Sequence, residues 1–277
     1  MKRIVLALLF GAASQTLLTL GRQRLGGTLA ISAVLHTWTR AMLYHPHVHL
    51  VVSGGALSPQ GEWTGTSKKF LFPVAVMRDL FRGRLLAGLE KARRAGRLTF
   101  AGSSAHLADP DTWARLRDRL YRVPWVVHTK RPFGGAHAVI AYLGRYTHRV
   151  AISSSRLVAV SDTAVTFRTR GEGTITVSPD EFIRRFLLHV LPREFRKIRH
   201  YGLYSSSGVK SLLPAARRCL ESPVPTTEEP VPVEAQAEDV NLRPCPACKV
   251  GHLVWARSLE PVPCSWPGPA PPFCDSS

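Results

Sequence analysis

The sequence predicts an α+β fold, a central and largely antiparallel sheet with flanking helices, followed by a disordered proline-rich tail. Three observations predict it. Helical and strand-like periods alternate over the first 221 residues. The strand-like runs are short and come with hairpin signals, which favours antiparallel pairing. The stretch 222–277 holds 12 of the 21 prolines.

The elements follow in order. Leu6, Leu9, Phe10, Ala13, Leu17 and Leu18 recur at helical spacing, and Leu20-Gly21 closes a helix over about 3–20. Met1-Lys2-Arg3 ahead of Ile4–Phe10 also has the layout of a short secretory signal, but the period favours a helix of the body. No stretch is read as approaching the roughly 20 apolar residues of a membrane span. A strand near Thr28–Leu35 precedes one near Val48–Val52, which ends in the hairpin signal Gly54-Gly55. Pro73 opens a helix to about Arg94, with Gly96 beyond its end. Asp109 or Asp111 caps a helix to about Tyr121, Trp125–Thr129 reads as a strand, and Gly135–Arg149 as a helix. Short β-branched runs at Arg156–Val160, Val165–Arg168 and Thr174–Val177 precede a helix over Pro179–Leu191, capped by Ser178 with Glu181 at the capping-box position.

Charge narrows the function. With 37 Lys plus Arg against 19 Asp plus Glu, the chain carries +18, which points to a polyanionic partner whose phosphates relieve the self-repulsion. The excess sits in residues 1–221, where 34 basic residues face 12 acidic ones, a net of +22. Residues 222–243 are acidic and proline-rich with few large apolar side chains, and read as a disordered linker. Residues 244–277 form a proline- and cysteine-rich tail holding four of the five cysteines, so the body reads as a reduced, cytoplasmic protein with no membrane partner.

The segment HPHVHLVV at 45–52 carries the first chemistry. In a strand alternate residues share a face, so His45, His47 and His49 point the same way with neighbours about 6–7 Å apart. Only a neighbouring pair can chelate one ion. Pro46 places the first pair at the disrupted strand entry, which leaves His47 and His49 as the ligands. A histidine-rich strand that only packs or meets phosphate is the plainer alternative. The second segment is AYLGRYTHR at 141–149. On a helix Tyr142 and Tyr146, four apart, share one face; Arg145 and Arg149 follow beside them with His148 among them. A phenolate is a competent phosphoryl acceptor, although two tyrosines at this spacing also pack as an ordinary helix stripe.

Together these segments resemble the HUH rolling-circle transposases that carry a tyrosine pair, the insertion-sequence family called IS ninety-one and its common-region relatives. The resemblance rests on LHTW at 35–38, HPHVHLVVSGGALSP at 45–59, FLFPVAVMRDLFRG at 70–83, WVVHTKRPFGG at 125–135, YLGRYTHRVAIS at 142–153 and EFIRRFLLHVLPREFRKIRHYG at 181–202. It implies an HUH-endonuclease-like domain over 1–221 in a bacterial, nucleoid-associated enzyme. Such an enzyme nicks and rejoins single-stranded DNA at transposon ends and target through a 5′-phosphotyrosine. By position, His47 and His49 would hold the divalent ion, magnesium or manganese, with His36 and His148 as candidates for a third ligand. Tyr142 and Tyr146 would be the nucleophiles. Lys130, Arg131, Arg145, Arg149, Arg184, Arg185 and Lys197 would grip the strand, with Trp125 or Phe133 for base stacking. Family members begin with a cysteine-rich region that this chain lacks ahead of His45, so a truncated copy is the expectation.

In the tail, Cys245-Pro-Ala-Cys248, followed by His252, Cys264 and Cys274, offers a zinc half-site, with a metal-free tail as the alternative. Two other function classes compete. A non-catalytic nucleic-acid-binding remnant would use the basic run Arg193, Arg196, Lys197, Arg199, His200 but would need neither histidine pair nor tyrosines. A metallohydrolase would need carboxylates to activate water, and Glu62 is the one acid between Met1 and Ser67. No GxxxxGK[ST] phosphate loop occurs, in keeping with a transesterification that conserves the energy of the broken bond.

Overall fold

A computed structural model describes residues 1–66, 71–147, 151–169, 171 and 173–220. The chain divides into two units, Met1–Val224 and Pro225–Ser277; the second lies outside the described residues, and with it Cys245, Cys248 and the zinc reading.

The first unit is α+β with antiparallel sheets. Its order is α1 (Lys2–Leu25), β1 (Thr28–Trp38), β2 (Tyr44–Leu57), β3 (Trp63–Gly65), α2 (Val74–Arg94), α3 (Pro110–Arg122), α4 (Ala136–Thr147), β4 (Leu157–Val160), β5 (Val165–Arg168), β6 (Thr174–Val177), α5 (Pro179–Leu188), β7 (Ile198–Gly202) and α6 (Ser206–Cys219). The main sheet runs β3-β2-β1-β7 and a second sheet runs β4-β5-β6, all pairs antiparallel.

The odd-numbered face of β1 is the core. Leu29, Ile31, Ala33 and Leu35 pack against Leu6, Phe10, Leu17 and Leu20 of α1, with Met77 of α2 and Phe72 completing the layer. Burying each of the four large α1 side chains contributes about 1.5–3 kcal/mol. α1 is long and apolar enough, by length and composition, to cross a membrane, contrary to the expectation that no stretch approaches this. Half of that apolar window is buried inside the protein, and Lys2 Nζ donates to the carbonyls of Leu188 and Val190 at 2.7 and 2.6 Å. The helix also passes Gly21, where the sequence predicts its end. Its cap is Gly26, in the left-handed conformation at φ 65, whose N–H bonds the Gly21 carbonyl.

Other boundaries move for identifiable reasons. β2 starts at Tyr44 rather than Val48, because its ladder with β1 runs on to Trp38–Tyr44, whereas β3 pairs only with Gly55–Leu57. The histidine end of β2 is therefore an edge, where Pro46 has no ladder bond to lose. Gly54-Gly55 is no turn. The chain reverses at Ser58–Glu62, where Ser58 N–H bonds the Glu62 carbonyl at 2.8 Å, and a Cβ on Gly55 would collide with the Trp63 indole. The strand expected at Trp125–Thr129 does not form. Trp125 Nε1 donates back to the Leu120 carbonyl at 2.7 Å and its ring meets Phe81, while Val126 is 90% exposed with no strand beside it among the described residues. α5 stops at Leu188, where the His189 and Val190 N–H groups bond the carbonyls of Phe186 and Leu187 three residues back and the His189 side chain bonds Thr37 and the Met42 carbonyl.

That histidine fixes the turn between the two site strands. Its Nδ1 lies 3.2 Å from Thr37 Oγ1 and its Nε2 donates to the Met42 carbonyl at 3.1 Å. Met42 is fully buried at φ 57, a left-handed conformation that costs a non-glycine residue about 1–2 kcal/mol. Arg156 fastens the second sheet near the same turn through the carbonyls of Arg40, Ala151 and Arg168.

Candidate metal centre and nucleophile

The even-numbered face of β1 carries Val34, His36 and Trp38. In the β1–β2 ladder His36 stands opposite His47, and Val34 opposite His49. Cross-strand partners point to one side of a sheet, so the register brings together three imidazoles from two strands. Their ligating nitrogens all lie within 4.8 Å of one another. Ring centroids are 5.6 Å apart for His36–His47, 4.6 Å for His36–His49 and 5.0 Å for His47–His49. His36 is buried, and His47 and His49 are half-buried.

The cluster fits a divalent ion. His47 Nδ1 lies 2.7 Å from the His45 carbonyl, a bond in which only the ring nitrogen can donate, so Nε2 keeps its lone pair for a metal. The His45 carbonyl thereby orients the His47 ring. Burial favours the neutral, metal-competent form of both strand histidines. It holds His47 below the ordinary imidazole value, and it lowers His49 to about 4, helped by the positive fields of His36, His47 and Lys130. Among the described residues the cluster contains no carboxylate. His148 lies outside the described residues.

Stability follows from the His49 shift. Between the ordinary 6.5 and about 4 the unfolded chain takes up a proton that the folded site refuses. The unfolded state binds more protons there, so stability falls as pH falls through that window. Urea denaturation of the metal-free protein is expected to show a lower midpoint at pH 5 than at pH 7. His49→Gln should flatten that difference, and identical pH slopes in both proteins would contradict the assignment.

Trp38 supports His36. Its indole lies 4.7 Å from the His36 ring at 18°, stacked, and Lys197 Nζ sits 5.2 Å over the indole. The sequence places Trp38 two residues after His36 on the same strand face, yet the alternation alone assigns it no role. Trp38→Ala is expected to weaken manganese binding about 10–100-fold, the range for residues that orient a ligand, with Trp38→Phe restoring most of it. Calorimetric titration with manganese checks this, and an unchanged affinity in the alanine variant would refute it.

α4 lies across this face of β1 and delivers a tyrosine. The Tyr142 hydroxyl is 3.2 Å from His49 Nδ1, the two rings 6.4 Å apart, and Phe133 from the preceding loop packs on the Tyr142 ring at 5.1 Å. Phe133 thus braces the tyrosine ring. Tyr146 and Arg145 are on α4, one turn onward, with side chains outside the description; Arg149 lies outside the described residues.

The expected DNA-gripping side chains divide. Lys130 acts on His49 through its charge and, like Arg131, is exposed on the loop ahead of α4. Lys197 is half-buried against Trp38, and burial lowers its pKa. Arg184 and Arg185 converge instead on Glu181. Arg184 binds it through two nitrogens at 2.6 and 2.8 Å, Arg185 at 2.7 Å, and together they hold its carboxyl at about 2. Glu181 therefore serves these arginines, whereas a capping box would have sent its side chain back to Ser178. Trp125, tied to Leu120 and Phe81, belongs to the packing.

Comparison with known proteins now has a geometry to refer to. The family described as "Putative transposase" matches residues 30–211, from the first site strand into α6. The chain is 41% identical over 276 residues to "Putative transposase y4qJ" of Sinorhizobium fredii (strain NBRC 101917 / NGR234), covering 94% of this chain and 69% of that protein. It is 28% identical over 236 residues to "Transposase for insertion sequence element IS801" of Pseudomonas savastanoi pv. phaseolicola, covering 80% of this chain and 54% of that protein. No solved structure matches. With the match spanning both site strands, the tyrosine helix and the edge strand β7, the chain belongs to this family of insertion-sequence transposases.

Proposed function

We propose that the domain nicks and rejoins single-stranded DNA by attack of a tyrosine on a backbone phosphate, in an HUH-type, rolling-circle reaction. The observation that carries this reading is the Tyr142 hydroxyl 3.2 Å from a histidine of the three-imidazole cluster. His36, His47 and His49 would hold the ion, manganese being favoured over magnesium by imidazole ligands. When bound, it supplies Lewis-acid polarisation of the scissile phosphate.

The chain's own groups do the rest. Tyr142 Oη forms the new bond to phosphorus as the bond to the 3′ oxygen breaks; the phenol loses its proton and the leaving oxygen gains one, freeing a 3′-hydroxyl. The linkage is a phosphodiester like the one it replaces, so its energy is kept for rejoining. Tyr146, one helical turn on, would be the second nucleophile, letting one protein hold an end while cutting again. Lys130 and Arg131 lie on the exposed loop leading to α4 and supply charge for the strand. Phe133, 39% exposed beside Tyr142, is placed to flank a base as well as to brace the ring.

Incubation with labelled single-stranded oligonucleotides and manganese, followed by denaturing gels, tests the proposal: a protein-linked band sensitive to protease is the expected result. In-line attack needs a flexible backbone. Matched single-stranded and duplex substrates should therefore differ, the single strand being cut faster and bound with an affinity that falls steeply with salt. Blunt duplex cleaved as fast as the single strand, without a covalent adduct, would replace the tyrosine with water as nucleophile.

A further inference from the structure

The site face of the sheet does not end at β1. Ser32, four residues before His36, lies on the same face. β7 pairs with β1 on the side away from β2, with Val34 opposite Ile198 and Ser32 opposite His200. Because cross-strand partners share a side, His200 joins the face of the three histidines, one strand beyond β1. Ser32 Oγ lies 3.0 Å from His200 Nδ1. Ser32 is 7% exposed, whereas the His200 ring is exposed. Strand alternation sends the intervening Arg199 to the opposite face, where its guanidinium covers Phe10 and Phe195 at 4.6 and 4.8 Å. The basic run that a sequence reader assigns wholesale to nucleic acid is thus sorted by the sheet, and of Arg199 and His200 only His200 shares the site face.

We infer that Ser32 and His200 form a second phosphate position, holding a non-scissile phosphate of the strand whose scissile phosphate sits at the histidine cluster; this rests on the single-strand substrate read above. With the buried Ser32 hydroxyl donating to His200 Nδ1, the tautomer we assign, the ring hydrogen sits on Nε2. Nε2 has no protein acceptor among the described residues, so the serine turns the imidazole into an outward N–H donor with a set direction. Two strand spacings of about 4.8 Å across and two residues of about 3.4 Å along put His200 roughly 12 Å from His49. That is too far to share an ion or a single phosphate, so the group bound there is another phosphate of the same strand. Since β7 is an edge strand, the strand can leave the face past it without meeting further sheet.

Filter or fluorescence binding of single-stranded oligonucleotides in EDTA, each carrying one neutral methylphosphonate, tests the position without metal or cleavage. The wild-type protein should lose affinity at a defined phosphate displaced from the cut site. In His200→Ala the overall affinity should fall about tenfold, the worth of one hydrogen bond to a charged group. That one methylphosphonate should also cease to matter, while the others keep their effect. Ser32→Ala, which leaves the imidazole but frees its orientation, should blunt the same position, and His200→Gln, which keeps an N–H donor, should restore part of it. An unchanged methylphosphonate profile in His200→Ala would overturn the inference, as would a uniform loss at every phosphate accompanied by a lowered melting temperature. Because no adduct is scored, these results stand apart from success or failure of the tyrosine chemistry.

Discussion

Tyr142→Phe is expected to abolish the covalent protein–DNA adduct and to slow cleavage by about 10³-fold or more, the scale seen when a nucleophile is removed. The substitution deletes one oxygen and keeps the ring, so the contact with Phe133 and the packing of α4 should persist. Affinity for single-stranded DNA should change little, since it comes from dispersed cations. Denaturing gels for the adduct and salt-dependent binding curves, run side by side, separate the two effects. Adduct formation at the wild-type rate would move the nucleophile away from Tyr142. Tyr146→Phe supplies the internal comparison: under the two-nucleophile scheme it leaves a first cut and blocks the rejoining that needs a second tyrosine.

His47→Ala and His49→Ala should each remove metal-dependent cleavage. Loss of a residue that merely orients a ligand weakens metal binding about 10–100-fold, and loss of a ligand should cost at least that much. The two variants differ in a second respect. His49 also touches the Tyr142 hydroxyl, whereas His47 is tied to the His45 carbonyl. Excess manganese is therefore expected to rescue His47→Ala further than His49→Ala. DNA binding in EDTA should stay close to wild type in both. If binding and cleavage fell together, the histidines would be phosphate contacts rather than ligands.

His47 and His49 are legible from alternation in a strand-like run, because a two-residue period is local and needs no knowledge of the partner strand. The placing of Tyr142 and Tyr146 one turn apart on a helix is legible for the same kind of reason, a four-residue spacing. So are the main helices, whose ends are marked by Pro73 and by the Asp109 and Ser178 side chains that accept from Thr112 and Glu181. Charge alone pointed to a polyanion, and the order of the motifs pointed to the transposase family that the comparison with known proteins then showed.

What depends on pairing was decided only in three dimensions. His36 becomes the third member of the cluster because the β1–β2 register sets it opposite His47, and a shift of one residue would have turned it to the other face. The strand IRHYG at 198–202 escapes sequence reading because its basic residues mask the alternation, and with it goes the Ser32–His200 pair. Trp125–Thr129 has the composition of a strand but pairs with no strand among the described residues. Arg184 and Arg185 read as a DNA-binding pair, and only the helix shows that Glu181, three and four residues earlier, pairs with both. Periodicity is written in the chain, whereas register, edge position and the choice of partner for a charge are properties of the packed sheet and helices, where neighbours distant in sequence compete for the same groups.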